Sequence, residues 1–175
     1  TAIGWLCWNQ PCRGFRLLER QEDRVVTKIG VDMQGHQGQF LAMLAQSRVR
    51  DDYPLRVDGE EFLVRDLVRS EQLACRSDTE LTFQLIGLSH YLASDQSWEN
   101  AAGESWDLPK MLREEMQQTV VQAPCGGTHR LMGFAHALRK RRAEGKPITG
   151  QWRRAEVYTK DFIAYTYRLQ NRDGS

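Results

Sequence analysis

The sequence predicts an all-α fold in which inner and outer helices alternate, and three observations predict it. The first is a weak internal repeat. Leu85-Ile-Gly-Leu-Ser-His-Tyr-Leu92 is matched position for position by Leu131-Met-Gly-Phe-Ala-His-Ala-Leu138, 46 residues on, and Leu41-Ala-Met-Leu-Ala-Gln46 fits the same template 44 residues earlier. The second is a companion block: Gly59 to Arg69 lines up with Gly103 to Arg113, again 44 residues apart, and a looser third copy opens at Gly150-Gln151-Trp152. Repeats of this length are stacked supersecondary units that bury their apolar faces only against one another. The third is the pattern inside the blocks. Residues 81–92 are apolar almost all round, as befits a helix enclosed by protein, whereas Phe62, Val64, Leu67 and Val68, and then Ala155, Tyr158, Phe162, Tyr165 and Leu169, recur at spacings of three and four with charges between them.

The elements follow in order. Residues 1–10 resemble the end of an inner helix, Ile3-Gly4-Trp5-Leu6-Cys7 against Ile86-Gly87-Leu88-Ser89-His90. Residues 11–35 break the pattern: Phe15 to Arg20 and Arg24 to Ile29, around Gln21-Glu22-Asp23, read as an inserted β-hairpin. Helix pairs then span 36–74, 75–121 and 122–169, and 170–175 begins the next turn of the repeat. Ser77 and Glu80 have capping-box spacing ahead of the second inner helix. Gly87 and Gly133 share one repeat position within inner helices, where glycine costs about 1 kcal/mol against alanine, so a neighbouring helix is expected to press close there. Asp107 is placed to cap the helix that begins near Pro109, while Gly145 and Pro147 end the third inner helix. The links near Tyr53-Pro54, from Trp98 to Gly103 and from Lys146 to Gly150 read as loops.

Composition narrows the function classes. At 175 residues and 41% hydrophobic the chain suits one well-buried domain. Twenty-four basic and twenty-three acidic residues leave a net charge of +1, which draws the chain to neither nucleic acid nor an anionic membrane. The one basic run, Arg139 to Arg142, sits where cations complement the end of a helix dipole. No apolar stretch approaches the roughly 18 residues of a membrane span. Four cysteines are too sparse for a disulfide framework, which leaves the compartment open. The chain starts in mid-repeat and stops inside a motif, as a piece of a longer protein does.

The helix-pair pattern resembles the α/α-toroid shared by squalene and hopene cyclases, protein prenyltransferase β-subunits, lanthionine cyclases and complement-like thioester domains. Leu169-Gln170-Asn171-Arg172-Asp173-Gly174-Ser175 resembles the Gln-Asn-x-Asp-Gly-Ser-aromatic motif that closes outer helices in squalene-cyclase-like repeats, stopping just short of the aromatic residue. The resemblance implies a partial ring of about three helix hairpins, completed by the remainder of the toroid. The Asp-x-Asp-Asp acid of the squalene and hopene cyclases has no counterpart here. Ala123-Pro124-Cys125-Gly126-Gly127-Thr128 resembles the thioester segment, but Thr128 stands where the acyl-donating Gln is required. The chain looks most like bacterial cyclase-like proteins whose activity the resemblance does not supply.

In such a ring the inner helices run parallel and their N-termini gather on one rim. That rim collects His36, Gln37 and Gln39, then Glu80 and Thr82, then Thr128, His129 and Arg130. Convergent polar groups beside an apolar cavity make a binding site for a small or lipid-like ligand, and parallel dipoles there favour an anionic one; the same side chains also serve as helix caps and loop supports. Cys75 and Cys125 lie in the loops entering inner helices, near His36 and His129, a donor set suited to Zn²⁺, although lone cysteines are more often small core hydrophobes. His90 and His136 occupy one repeat position, as cavity acids or bases or as satisfied core histidines. Trp98, Trp106 and Trp152 read as packing residues, and the Glu60-Glu61 and Glu114-Glu115 pairs as solvated faces. Three functions are compatible with these residues: a ligand-binding toroid, a non-catalytic protein-interaction scaffold, and a zinc-dependent transferase or cyclase. No nucleic-acid partner and no membrane span are expected.

Overall fold

The structure, a computed structural model, describes residues 2–119 and 127–174. It corrects the fold class: the chain is not all-α. The described residues form seven helices and three small antiparallel sheets of two strands each, 49% helix and 16% strand.

A short helix, α1 (Ala2–Cys7), leads into the hairpin of β1 (Leu18–Gln21) and β2 (Arg24–Thr27), paired from Leu18↔Thr27 to Gln21↔Arg24. Helix α2 (Gln39–Gln46) then begins the first helix pair. The link to its partner is no loop. It is a hairpin of β3 (Pro54–Val57) and β4 (Glu60–Leu63), turned by Asp58 and Gly59 at φ +52° and +86°. Two consecutive positive φ values match the twist of the flanking strands, and Asp-Gly is the pair that adopts them most readily. Phe62, counted on a helical stripe, therefore lies in a strand, and α3 (Val64–Leu73) starts after it.

The second pair repeats this plan. Helix α4 (Thr82–Tyr91) is followed by β5 (Ser97–Glu99), β6 (Ser105–Asp107) and α5 (Leu108–Gln117). Trp98 and Trp106 face each other across the strands, and both are buried. Asp107 caps α5 as expected, its Oδ1 accepting the Lys110 amide at 2.6 Å. The third pair, α6 (Thr128–Ala143) and α7 (Gly150–Leu169), is joined without strands.

Helices α2, α4 and α6 lie side by side, with α3, α5 and α7 packed behind them. Contacts advance in step along neighbouring inner helices, so the three run parallel. Gly38 meets Gln84 and Gly87 meets Leu41, while Gly133 meets Leu85 and the Lys140 ammonium reaches the His90 carbonyl. A Cβ on Gly87 would stand 2.7 Å from Leu41 Cγ, and one on Gly133 would stand 3.3 Å from Leu85 Cδ2. Leu41 and Leu85 are repeat equivalents, so one glycine-on-leucine contact sets both helix spacings.

Two local expectations fail. No capping box forms at Ser77 and Glu80; the amide of Leu81 donates instead to Glu115 Oε1 from α5. The apolar stripe of α7 is buried only over its first turns. Trp152 and Ala155 are enclosed and Tyr158 meets Phe134 edge-on at 5.5 Å, but Tyr165 and Leu169 are exposed. Beyond α7, Gln170 Nε2 donates to the Gly174 carbonyl at 2.7 Å across a tight turn in which Gly174 has φ +89°.

Candidate metal centre

Three of the rim residues converge. His36 precedes α2, Glu80 precedes α4, and His129 lies in the first turn of α6, so the parallel run of the inner helices brings residues 44 and 93 positions apart in the chain to one place. His36 Nδ1 lies 2.6 Å from Glu80 Oε2, and His129 Nδ1 lies 3.8 Å from Glu80 Oε1. The carboxylate thus offers one oxygen to each imidazole. The rings stand edge to face, centroids 5.2 Å apart, and Phe83 packs against both at 4.8 and 5.2 Å. Phe83 makes an apolar wall on one side of the cluster. All three side chains stay partly open to solvent, at 21%, 37% and 22% exposure for His36, Glu80 and His129.

This donor set can hold a metal ion. The ligand atoms lie within 4.8 Å of one another. A tetrahedral centre with bonds of about 2.0–2.1 Å holds its donors about 3.3 Å apart, so side-chain movements of an ångström or so would close the set. Two imidazoles and one carboxylate supply three ligands and leave a position open. Glu80 and His129 line a cleft of about 460 Å³, together with Asp78, Glu114 and Gln117. The acidic lining favours a cation. It also answers the expectation of an anion site at this rim: the positive helix ends already face the protein's own carboxylates.

The other expected rim residues do different work. Thr82 Oγ1 donates to Glu115 Oε2 at 2.8 Å, and Arg130 Nε approaches the same oxygen at 3.3 Å. Both are buried, as is Glu115, which is therefore no solvated surface acid. This inner ion pair ties α4, α5 and α6 together beneath the cleft. Gln39 turns away, its Oε1 accepting the Gly35 amide at 2.8 Å beside a small apolar cleft. Thr128 is the first residue of α6.

Cys75 stands apart from the cluster. It is fully buried, its Sγ donates to the Glu71 carbonyl at 3.4 Å, and burial pushes its thiol up to about 12. Such a thiol is a small core hydrophobe and not a ready thiolate. Cys125, with the segment from Ala123 to Gly126, lies outside the described residues. Glu71 is a buried acid that the sequence reading missed. Gln37 Nε2 donates to its Oε2 at 2.7 Å, and burial raises it to about 7 against those hydrogen bonds. Its place in the amphipathic helix α3 looks like any other surface glutamate in sequence.

His90 and His136 form a second pair two turns further along the inner helices. They line a separate cleft with Arg48, Arg139 and Lys140. Burial, then the neighbouring cations, hold both imidazoles below the ordinary histidine range. No family model, curated protein or solved structure matches this chain.

Proposed function

We propose that this protein is a metal-binding domain of paired helices that presents a Zn²⁺ ion, held by His36, Glu80 and His129, to a polar small molecule in the adjoining cleft. The observation that carries the reading is the convergence of two imidazoles on one carboxylate at the mouth of that cleft. Zinc accepts nitrogen and oxygen donors in this number and keeps a coordination position open, supplying a Lewis acid and an acidified water. The polar cleft lining favours a small hydrophilic ligand over a lipid-like one. Parallel inner helices backed by outer ones support kinship with the cyclase-like helix-pair proteins, elaborated here by hairpins between the members of two pairs.

Metal content after zinc loading and dialysis tests the reading. About one zinc per chain is expected, falling to background in Glu80→Gln and in His36→Ala/His129→Ala. Stoichiometric iron in place of zinc would change the metal and keep the site, because two imidazoles and a carboxylate also suit Fe²⁺. Zinc retained by both variants would remove it.

A protein-interaction scaffold draws on a different observation, the exposed apolar side chains Ile163, Tyr165, Tyr167 and Leu169 on α7. Sedimentation of the protein, which would reveal self-association lost in Tyr167→Glu/Leu169→Glu, tests that alternative.

A further inference from the structure

The inner helices end, opposite the His36 cluster, in a cleft of about 370 Å³ lined by Arg48, His90, His136, Arg139 and Lys140, with Ser89 beside them. These groups come from three separate places in the chain: the end of α2, the end of α4 and the C-terminal half of α6. We propose that this cleft binds the phosphate group of a small soluble phosphorylated molecule.

A bland account of the basic residues exists: cations near helix C-termini offset the dipole. Partners separate the two accounts. In the run Arg139 to Arg142, Arg141 is satisfied by Asp95, Ser94 and the Pro147 carbonyl, and Arg142 pairs with Glu156 at 2.6 Å. Arg139 and Lys140 turn the other way, into the cleft. Lys140 has Glu144 and the His90 carbonyl, each at 3.4 Å, whereas among the described residues Arg139 meets the imidazole of His136, also at 3.4 Å. Among the described residues neither Arg48 nor Arg139 has a carboxylate within 4 Å, and no acid lines the cleft. The two guanidiniums without a counter-charge thus open onto the same hollow.

The backbone at Arg48 is a second and independent observation. Helices α2 and α6 end in the same motif. At α6, Gly145 N donates to Arg142 O and Lys146 N to Arg141 O; at α2, Arg48 N donates to Ala45 O and Val49 N to Leu44 O. The left-handed residue is glycine in the first case, at φ +67°, and arginine in the second, at φ +55°. Glycine is the residue that suits this position best. Arginine there is disfavoured by backbone and, among the described residues, has no carboxylate partner, so the left-handed helix end sets a free guanidinium at the mouth of the cleft.

A phosphate fits the donors. Arginine forks bind its oxygens two at a time, lysine and serine add single donors, and imidazoles add more. His90 also meets the Tyr91 ring at 4.7 Å, and the charged groups facing the two imidazoles are Arg48, Arg139 and Lys140. With Arg48, Arg139 and Lys140 beside them, and Glu144 reached only through Lys140, His90 and His136 take up protons when an anion arrives. Binding therefore strengthens as pH falls through the region below the ordinary histidine value.

Isothermal titration with inorganic pyrophosphate tests the proposal on the whole chain. The wild type is expected to bind in the sub-millimolar range, about 1 mM or tighter. Arg48→Gln/Arg139→Gln is expected to weaken this by about tenfold or more, with tighter wild-type binding at pH 6 than at pH 8. Arg48→Gly separates binding from folding, because it should raise Tm by a few degrees, about 2–4 °C, and still weaken pyrophosphate. Equal affinity in wild type and Arg48→Gln/Arg139→Gln, or no heat at about 5 mM pyrophosphate, overturns the proposal. So does retention on phosphatidic acid vesicles without binding of free pyrophosphate, which would make the ligand a membrane headgroup.

Discussion

The two ends of the inner-helix layer carry the same residue and opposite chemistry. All four histidines of the chain sit there in pairs, His36 with His129 at the N-terminal rim and His90 with His136 about two helical turns further on. At the rim the pair brackets a carboxylate, and acids line the cleft beside it. At the far end the pair is surrounded by Arg48, Arg139 and Lys140. Each end also offsets its helix dipoles, since negative side chains gather at the positive termini and positive side chains toward the negative ones. Histidine by itself specifies neither a cation nor an anion site; the charge placed beside it does.

The largest effect should come from the buried ion pair under the rim. Glu115→Ala leaves Arg130 charged and unpaired and strips the acceptor from Leu81 N and Thr82, at a cost of about 3–5 kcal/mol. Arg139→Ala at the exposed far end should cost no more than about 0.5 kcal/mol. Urea unfolding compares them, and similar losses would break the contrast between an end built on buried charge and an end built on solvated charge.

Glu71 sharpens the same contrast. Its acid is raised to about 7 by burial, so the folded chain holds a proton there that the unfolded chain releases. The associated stability is complete below the ordinary glutamate range and drains away as pH rises through about 7. Glu71→Gln should therefore gain on wild type above pH 7, by at most about 3 kcal/mol, and the gain should vanish near pH 4. Equal pH dependence in the two proteins would show that Glu71 ionises freely.

The layer between the ends is tested by its glycines. Gly87→Ala drives a methyl into Leu41 and should cost about 1–3 kcal/mol. Gly133→Ala meets Leu85 and the Thr82 carbonyl at 3.3 Å and should cost less. Chemical denaturation ranks them, and the reverse order would mean that the room left beside each glycine does not decide the cost.

The smallest effect belongs to His90 and His136. Because both are held below the ordinary range, the folded state binds fewer protons than the unfolded one in the window beneath the ordinary histidine value. The stability they contribute is present above that value and is lost as pH falls. Tm from pH 7.5 to 5 should drop further for wild type than for His90→Gln/His136→Gln, and parallel curves would count against cation crowding at this end.

Much of the layer could be read from sequence, because its signals are local. The glycines within α4 and α6 announced a close neighbour, and the rim followed once the helices were taken as parallel, which brought His36, Glu80 and His129 together. The hairpins escaped for different reasons. Asp58-Gly59 is a strong turn signal, but Phe62 and Val64 also fit a helical stripe, and three-residue strands such as 97–99 are too short to show a period of two. Glu115 was misjudged, and Cys75 was left between metal ligand and core hydrophobe, because nothing in the neighbouring residues says whether an acid or a thiol is enclosed. Arg48 gave no warning at all, since a left-handed helix end is normally announced by glycine.

The glycine-on-leucine contact has an engineering meaning. One joint, cut to the thickness of a single leucine and used twice, fixes how far apart neighbouring inner helices stand and how they align along their length. Tolerance at the tips is therefore inherited from the middle. The residues that meet a metal or an anion need not hold the scaffold in register, and are free to change their chemistry while the spacing between them stays the same.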